Sequence, residues 1–85
     1  MNAPAVSRWL RGFDGKRGEL QVEYLLPAAW TLVRLRELFN ASEDDPMFDS
    51  YPLGPVQTKV LGEDLGLDLF GPEELTFFLE ADAED

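Results

Sequence analysis

The chain has no cysteine and no histidine. The first absence excludes disulfides, thiol nucleophiles and thiolate zinc sites. The second excludes imidazole ligands and any triad that uses histidine as its base. Basic residues are scarce: 7 Lys and Arg stand against 17 Asp and Glu, a formal net charge of −10. No stretch approaches the roughly 18 apolar residues that a membrane span needs. The start, Met1-Asn2-Ala3-Pro4-Ala5, lacks a basic region followed by an apolar one, so no secretory signal is expected and the expected location is cytoplasmic. There is no internal repeat, low-complexity tract or glycine-rich phosphate cradle. Gly12, Gly15 and Gly18 fall on an expected hairpin rather than ahead of a helix.

What remains is one small globular domain, residues 1–85, with 45% apolar residues. At this size, folding buries roughly 60% of the surface of the unfolded chain, which suffices for one modest core and leaves little room for a walled substrate cleft. The charge is divided along the chain. Residues 1–36 carry six of the seven cations and three acids, whereas residues 37–85 carry fourteen acids and only Lys59. Such a field repels nucleic acid and anionic lipid and attracts basic protein surfaces. The same excess of acid also serves solubility.

Residues 6–13 are rich in β-formers. Asp14-Gly15 and Gly18 mark a turn, and residues 19–26 alternate with Leu20, Val22, Tyr24 and Leu26 on one face. This pattern predicts a hairpin that Pro27 ends. Leu32, Leu35, Leu38 and Phe39 predict a helix within 28–39, with Thr31 or Pro27 at its start and Asn40 as a left-handed stop. Residues 40–54 break every period and predict a loop, packed by Met47, Phe48, Tyr51 and Leu53. Pro55 opens a second helix with the stripe Val56, Val60, Leu61 and Leu65, closed by Gly66; Gly62 is an interior weak point. Residues 74–81 predict a last strand, with the tail beyond frayed. The order β-β-α-α-β implies an α+β fold: a two-layer domain with a three-stranded antiparallel sheet and two helices on one face. Leu20, Val22, Tyr24, Phe77 and Leu79 are expected to face those helices.

The candidate site is the acidic loop. Glu43, Asp44, Asp45 and Asp49 resemble a hard-cation cluster, but Pro46 and Met47 interrupt the alternation of acids that a calcium loop requires. No metal or other cofactor is therefore expected. Acid pairs at catalytic spacing carry no information among 17 carboxylates, and no enzyme is expected. Arg8, Arg11, Lys16 and Arg17 beside Trp9 and Phe13 could stack single-stranded nucleic acid, but the overall field opposes it. The expected partner is a protein with a basic surface, met by Asp44, Asp45, Phe48, Asp49 and Tyr51, with Glu63, Asp64 and Asp68 as a second group. Phe48 and Tyr51 serve equally well as core plugs beneath the loop.

Three segments carry a resemblance: Arg11-Gly12-Phe13-Asp14, then Glu19 to Leu26, and above all Asp44-Asp45-Pro46-Met47-Phe48-Asp49-Ser50-Tyr51-Pro52-Leu53. From about Arg8 to Asp82 the chain resembles a family of short, acidic, uncharacterised bacterial proteins. In size and acidity that family is similar in type to immunity proteins, which neutralise toxin domains of bacterial competition systems. The resemblance implies a non-catalytic inhibitor of a basic toxin domain. An accessory or structural domain, or a regulatory adaptor that mimics nucleic acid, are the alternatives.

Overall fold

The computed structural model describes residues 6–69 and 75–83. Their elements are β1 (Val6–Asp14), β2 (Leu20–Leu25), α1 (Leu32–Phe39), β3 (Tyr51–Pro52), α2 (Pro55–Leu65) and β4 (Leu75–Ala83). The strands form one antiparallel sheet in the order β2-β1-β4-β3. The α+β class and the two helices agree with expectation, but the sheet has four strands rather than three. The additional strand is short and contains a proline. At a sheet edge Pro52 costs no ladder hydrogen bond, because the missing N–H points away from the neighbour. Tyr51 pairs with Leu79 and Pro52 with Phe78, and the Leu53 N–H extends the contact to the Phe77 carbonyl at 2.9 Å.

β1 is central and pairs along its whole length with β4, from Val6 opposite Ala83 to Asp14 opposite Leu75. Leu10 opposes Leu79, and Gly12 opposes Phe77. A Cβ at Gly12 would stand 2.8 Å from the Phe77 ring and 3.0 Å from Val22 Cγ2, so glycine is what lets the buried Phe77 ring lie across β1. Leu10, Phe77 and Leu79 join Leu26, Trp30, Leu35, Met47, Leu61 and Leu69 in a single core, with Val22 and Tyr24 packed at its edge. Leu20 departs from expectation. The pairing of β1 with β2 shifts register between Gly12 and Phe13, so Gln21 is the extra residue and Leu20 lies opposite Phe13. A bulge of this kind moves the residue beyond it to the other face, and Leu20 is 48% exposed.

Of the two expected starts for α1, Thr31 is the one used. Its hydroxyl accepts the Arg34 N–H at 3.3 Å, while Pro27 closes a turn to the Trp30 N–H at 3.0 Å. Asn40 ends the helix in the left-handed region at φ 56°. α2 runs from Pro55 to the Gly66 cap, as its signals predict, but presents a different face. Thr58, Leu61 and Gly62 are buried and Leu65 is half-buried, whereas Val56 and Val60 are exposed. Gly62 is the point of closest approach: a Cβ there would sit 2.9 Å from the Leu67 carbonyl oxygen. The expected start of the last strand at Glu74 lies outside the described residues, as do Glu84 and Asp85; the tail expected to fray from Asp82 instead continues β4, with Asp82 opposite Ser7 and Ala83 opposite Val6.

Candidate functional site

The acidic loop is built on two arginines. After the Asn40 cap, Asp44 N–H bonds the Ser42 hydroxyl at 3.3 Å and Asp45 N–H bonds the Ser42 carbonyl at 3.0 Å. Arg36 Nε donates to the Asp45 carbonyl at 2.7 Å. Arg8, on β1, donates one terminal nitrogen to the Pro46 carbonyl at 2.9 Å and the other to the Met47 carbonyl. Three successive carbonyls, 45 to 47, thus turn inward towards guanidinium groups. The side chains of Glu43, Asp44 and Asp49 are left exposed.

Asp45 works within the loop rather than outside it. Its two oxygens accept the Met47 N–H at 2.8 Å and the Tyr51 hydroxyl at 2.7 Å. The Tyr51 hydroxyl, then the Met47 N–H, hold the Asp45 carboxyl below its ordinary value. The same bond, helped by desolvation, pushes Tyr51 up to about 12. The Tyr51 ring lies 6.1 Å from that of Phe39, and Ser50 ties the end of the loop to Glu80 at 2.8 Å. The core plug of the loop is Met47. It is 1% exposed and sits at φ 53°, a left-handed conformation that is costly for a residue with a Cβ. Phe48, next to it, is 50% exposed.

The sequence-predicted residues therefore divide. Asp45 and Tyr51 bond to each other. Asp44, Asp49 and the Phe48 ring face solvent, beside Glu43. In the second group, Asp64 accepts the Trp30 indole N–H at 2.7 Å, while Glu63 on α2 and Asp68 beyond its cap are exposed. Among the described residues, no three acids come together as a metal-ligand set.

Two further arginines are also engaged by side-chain contacts within the chain. Arg11 bridges three strands, with its nitrogens 3.0 Å from Glu23, 3.2 Å from Glu80 and 2.5 Å from Asp82. Those bonds, Asp82 foremost, raise the Arg11 value and lower that of Asp82. Arg34 lies 3.8 Å above the Trp30 ring and donates to the Ala29 carbonyl at 3.0 Å. Sequence reasoning did not assign Arg8, Arg11, Arg34 or Arg36 these roles, because backbone carbonyl acceptors leave no mark in a sequence and the acids that meet Arg11 lie 12 to 71 residues away along the chain. Arg8 also lines an open pocket of about 720 Å³ with Arg36, Trp30, Leu26, Leu32 and Phe48. No helix among the described residues is long and apolar enough to cross a membrane.

A family model described as Domain of unknown function (DUF7683) matches residues 7–80. No curated protein and no solved structure matches the chain.

Proposed function

We propose that this chain, which belongs to the DUF7683 family, is a non-catalytic binding protein whose acidic surface engages a basic protein surface. Its specific form is a cytoplasmic bacterial immunity protein that occludes the basic cleft of a toxin domain. The observation that carries the reading is the unequal use of charge: Arg8, Arg11, Arg34 and Arg36 are all engaged within the fold, while Asp44, Asp49 and Glu63 point outward with the half-exposed Phe48 between two of them. An outward field of one sign steers an oppositely charged partner and speeds association. A large apolar side chain inside that field supplies the desolvated anchor on which affinity depends.

The test uses the tagged chain as bait in extract of its host at low and moderate salt, followed by association kinetics with the purified partner. The expected partner is basic. Asp44→Asn/Asp49→Asn/Glu63→Gln slows association and flattens its salt dependence, while Phe48→Ala mainly speeds dissociation, by about thirtyfold if the ring is a hot spot. A neutralised variant that binds and protects like the parent refutes the reading, as does a captured partner without a basic surface.

A further inference from the structure

The 720 Å³ pocket has a composition unlike that of the chain around it. Its lining includes Arg8 and Arg36 but no acidic residue, in a protein with 17 acids. The remaining walls are almost wholly apolar, with Leu26, Trp30, Leu32 and Phe48 prominent. The volume lies within the range of roughly 300–1,000 Å³ usual for small-molecule sites, which combine apolar walls with a few convergent polar groups.

The two arginines are not equivalent. Arg8 has both terminal nitrogens committed to the carbonyls of Pro46 and Met47. Arg36 commits only Nε, to the Asp45 carbonyl, and among the described residues its two terminal nitrogens have no hydrogen bond or ion pair. That leaves one guanidinium edge able to accept a two-oxygen anion bidentately. Arg8 adds a second positive charge. Burial lowers its value, Tyr51 opposes this, and the charge of Arg36 lowers it further, so the two cations feel each other. Of the nearby anions, Asp45 pulls the Arg8 value up but has its oxygens hydrogen-bonded to Tyr51 and Met47, Asp64 is hydrogen-bonded to the Trp30 indole, and neither lines the pocket.

We propose that this pocket binds an apolar monocarboxylate, with the carboxylate on the free edge of Arg36 and the hydrocarbon against Trp30, Leu32 and Phe48. One free edge matches one carboxylate. A dianion such as phosphate gains no second fork and enters a field of net charge −10. The Arg36 end of the site lies apart from the exposed acids of the partner surface. Phe48 borders both, so it is left unaltered in the test.

The probes are 4-phenylbutyrate, its uncharged amide and inorganic phosphate, added to the intact chain at constant pH and followed by two-dimensional amide NMR. The carboxylate should shift the Trp30 indole and the amides of Leu26, Ala28 and Leu32, and should bind at least about tenfold tighter than the amide, the gain expected of a charge-assisted pair. Arg36→Gln should abolish that preference. As that change also frees the Asp45 carbonyl, a second variant tests the same point without touching the loop. Leu25→Glu places a carboxylate at the exposed rim of the pocket and should weaken the acid about threefold or more while leaving the amide unchanged. Equal affinities for acid and amide, phosphate binding as tight as that of the acid, or shifts centred on Trp9 on the opposite sheet face would each overturn the proposal.

Discussion

Replacing Met47 tests how the acidic loop is held. The side chain is 1% exposed and sits among core residues, whereas Phe48 beside it is 50% exposed. Truncating a buried Met to Ala costs about 2–5 kcal/mol, the lower values applying where the surroundings can close over the cavity. Here the backbone on either side is held by Arg8 and Arg36, which limits collapse, but the loop has solvent on its far side. Met47→Ala should therefore cost about 2–3 kcal/mol, a large fraction of the 5–15 kcal/mol that stabilises most domains. In a domain of this size that lowers the melting temperature by roughly 10–20 °C. Met47→Gly loses one more carbon but relieves a left-handed conformation worth about 1 kcal/mol, so it should be no less stable than Met47→Ala. At an ordinary position glycine would be the worse of the two. Phe48→Ala should stay within about 0.5 kcal/mol of the parent. Urea unfolding followed by tryptophan fluorescence and far-ultraviolet circular dichroism measures all three. If Met47→Ala costs less than Phe48→Ala, the loop is not anchored as described and the assignment of Phe48 to a partner loses its basis.

The Asp45–Tyr51 bond makes stability depend on pH in both directions. Asp45 has a folded value below its unfolded one, so its contribution is present above the ordinary carboxylate range and lost as pH falls through the depressed value; the phenol of Tyr51 is raised to about 12, so its contribution is present below pH 10 and lost as pH rises towards 12. Urea midpoints across pH should show both losses, and Tyr51→Phe should flatten both limbs; unchanged limbs would mean that the bond does not form. Arg11→Gln should destabilise the sheet by leaving Glu23, Glu80 and Asp82 facing one another across three strands. Raising salt from about 0.1 M to about 1 M shortens the screening length from about 10 Å to about 3 Å and should narrow the gap to the parent; a gap insensitive to salt would point to lost packing instead.

The parts of the fold legible in the sequence are those with local causes. Thr31 and Asn40 bound α1, Pro55 and Gly66 bound α2, and the Asp14–Gly18 turn with alternation in residues 22–26 marks the hairpin. The parts missed depend on contacts distant along the chain. A two-residue strand ending in Pro52 has no period to detect, and it exists only because β4 offers an open edge. The buried face of α2 uses Thr58 and Gly62, neither of which is apolar by type. Thr58 returns its hydroxyl to the Gly54 carbonyl at 2.8 Å, and Gly62 admits Leu67, so the exposed Val56 and Val60 gave the stronger but misleading stripe. The bulge at Gln21 reverses Leu20 for a reason that lies in the pairing with β1. In the loop, nothing about the residue type of Met47 announces a positive φ.

The charge map of the folded chain differs from that of the sequence for a related reason. As a sequence, residues 1–36 read as a cationic half that could oppose the acidic remainder. In the fold, Arg8 and Arg36 face carbonyl oxygens, Arg11 faces three carboxylates, and Arg34 lies on an indole ring, which leaves Lys16 and Arg17 at the exposed hairpin tip. All four of these engaged cations are arginines, and the geometry accounts for the choice. A planar fork satisfies two carbonyls on neighbouring residues, or carboxylates on neighbouring strands, without a second side chain, and it stacks flat on an aromatic face. A lysine at position 8 would offer a point charge without the planar fork whose two terminal nitrogens meet the carbonyls of successive residues. Arg8 and Arg36 thus fix the backbone that displays Asp44, Phe48 and Asp49. Both do so with their guanidinium groups turned to carbonyl oxygens and only partly exposed, so neither adds a fully exposed cation beside Asp44 and Asp49.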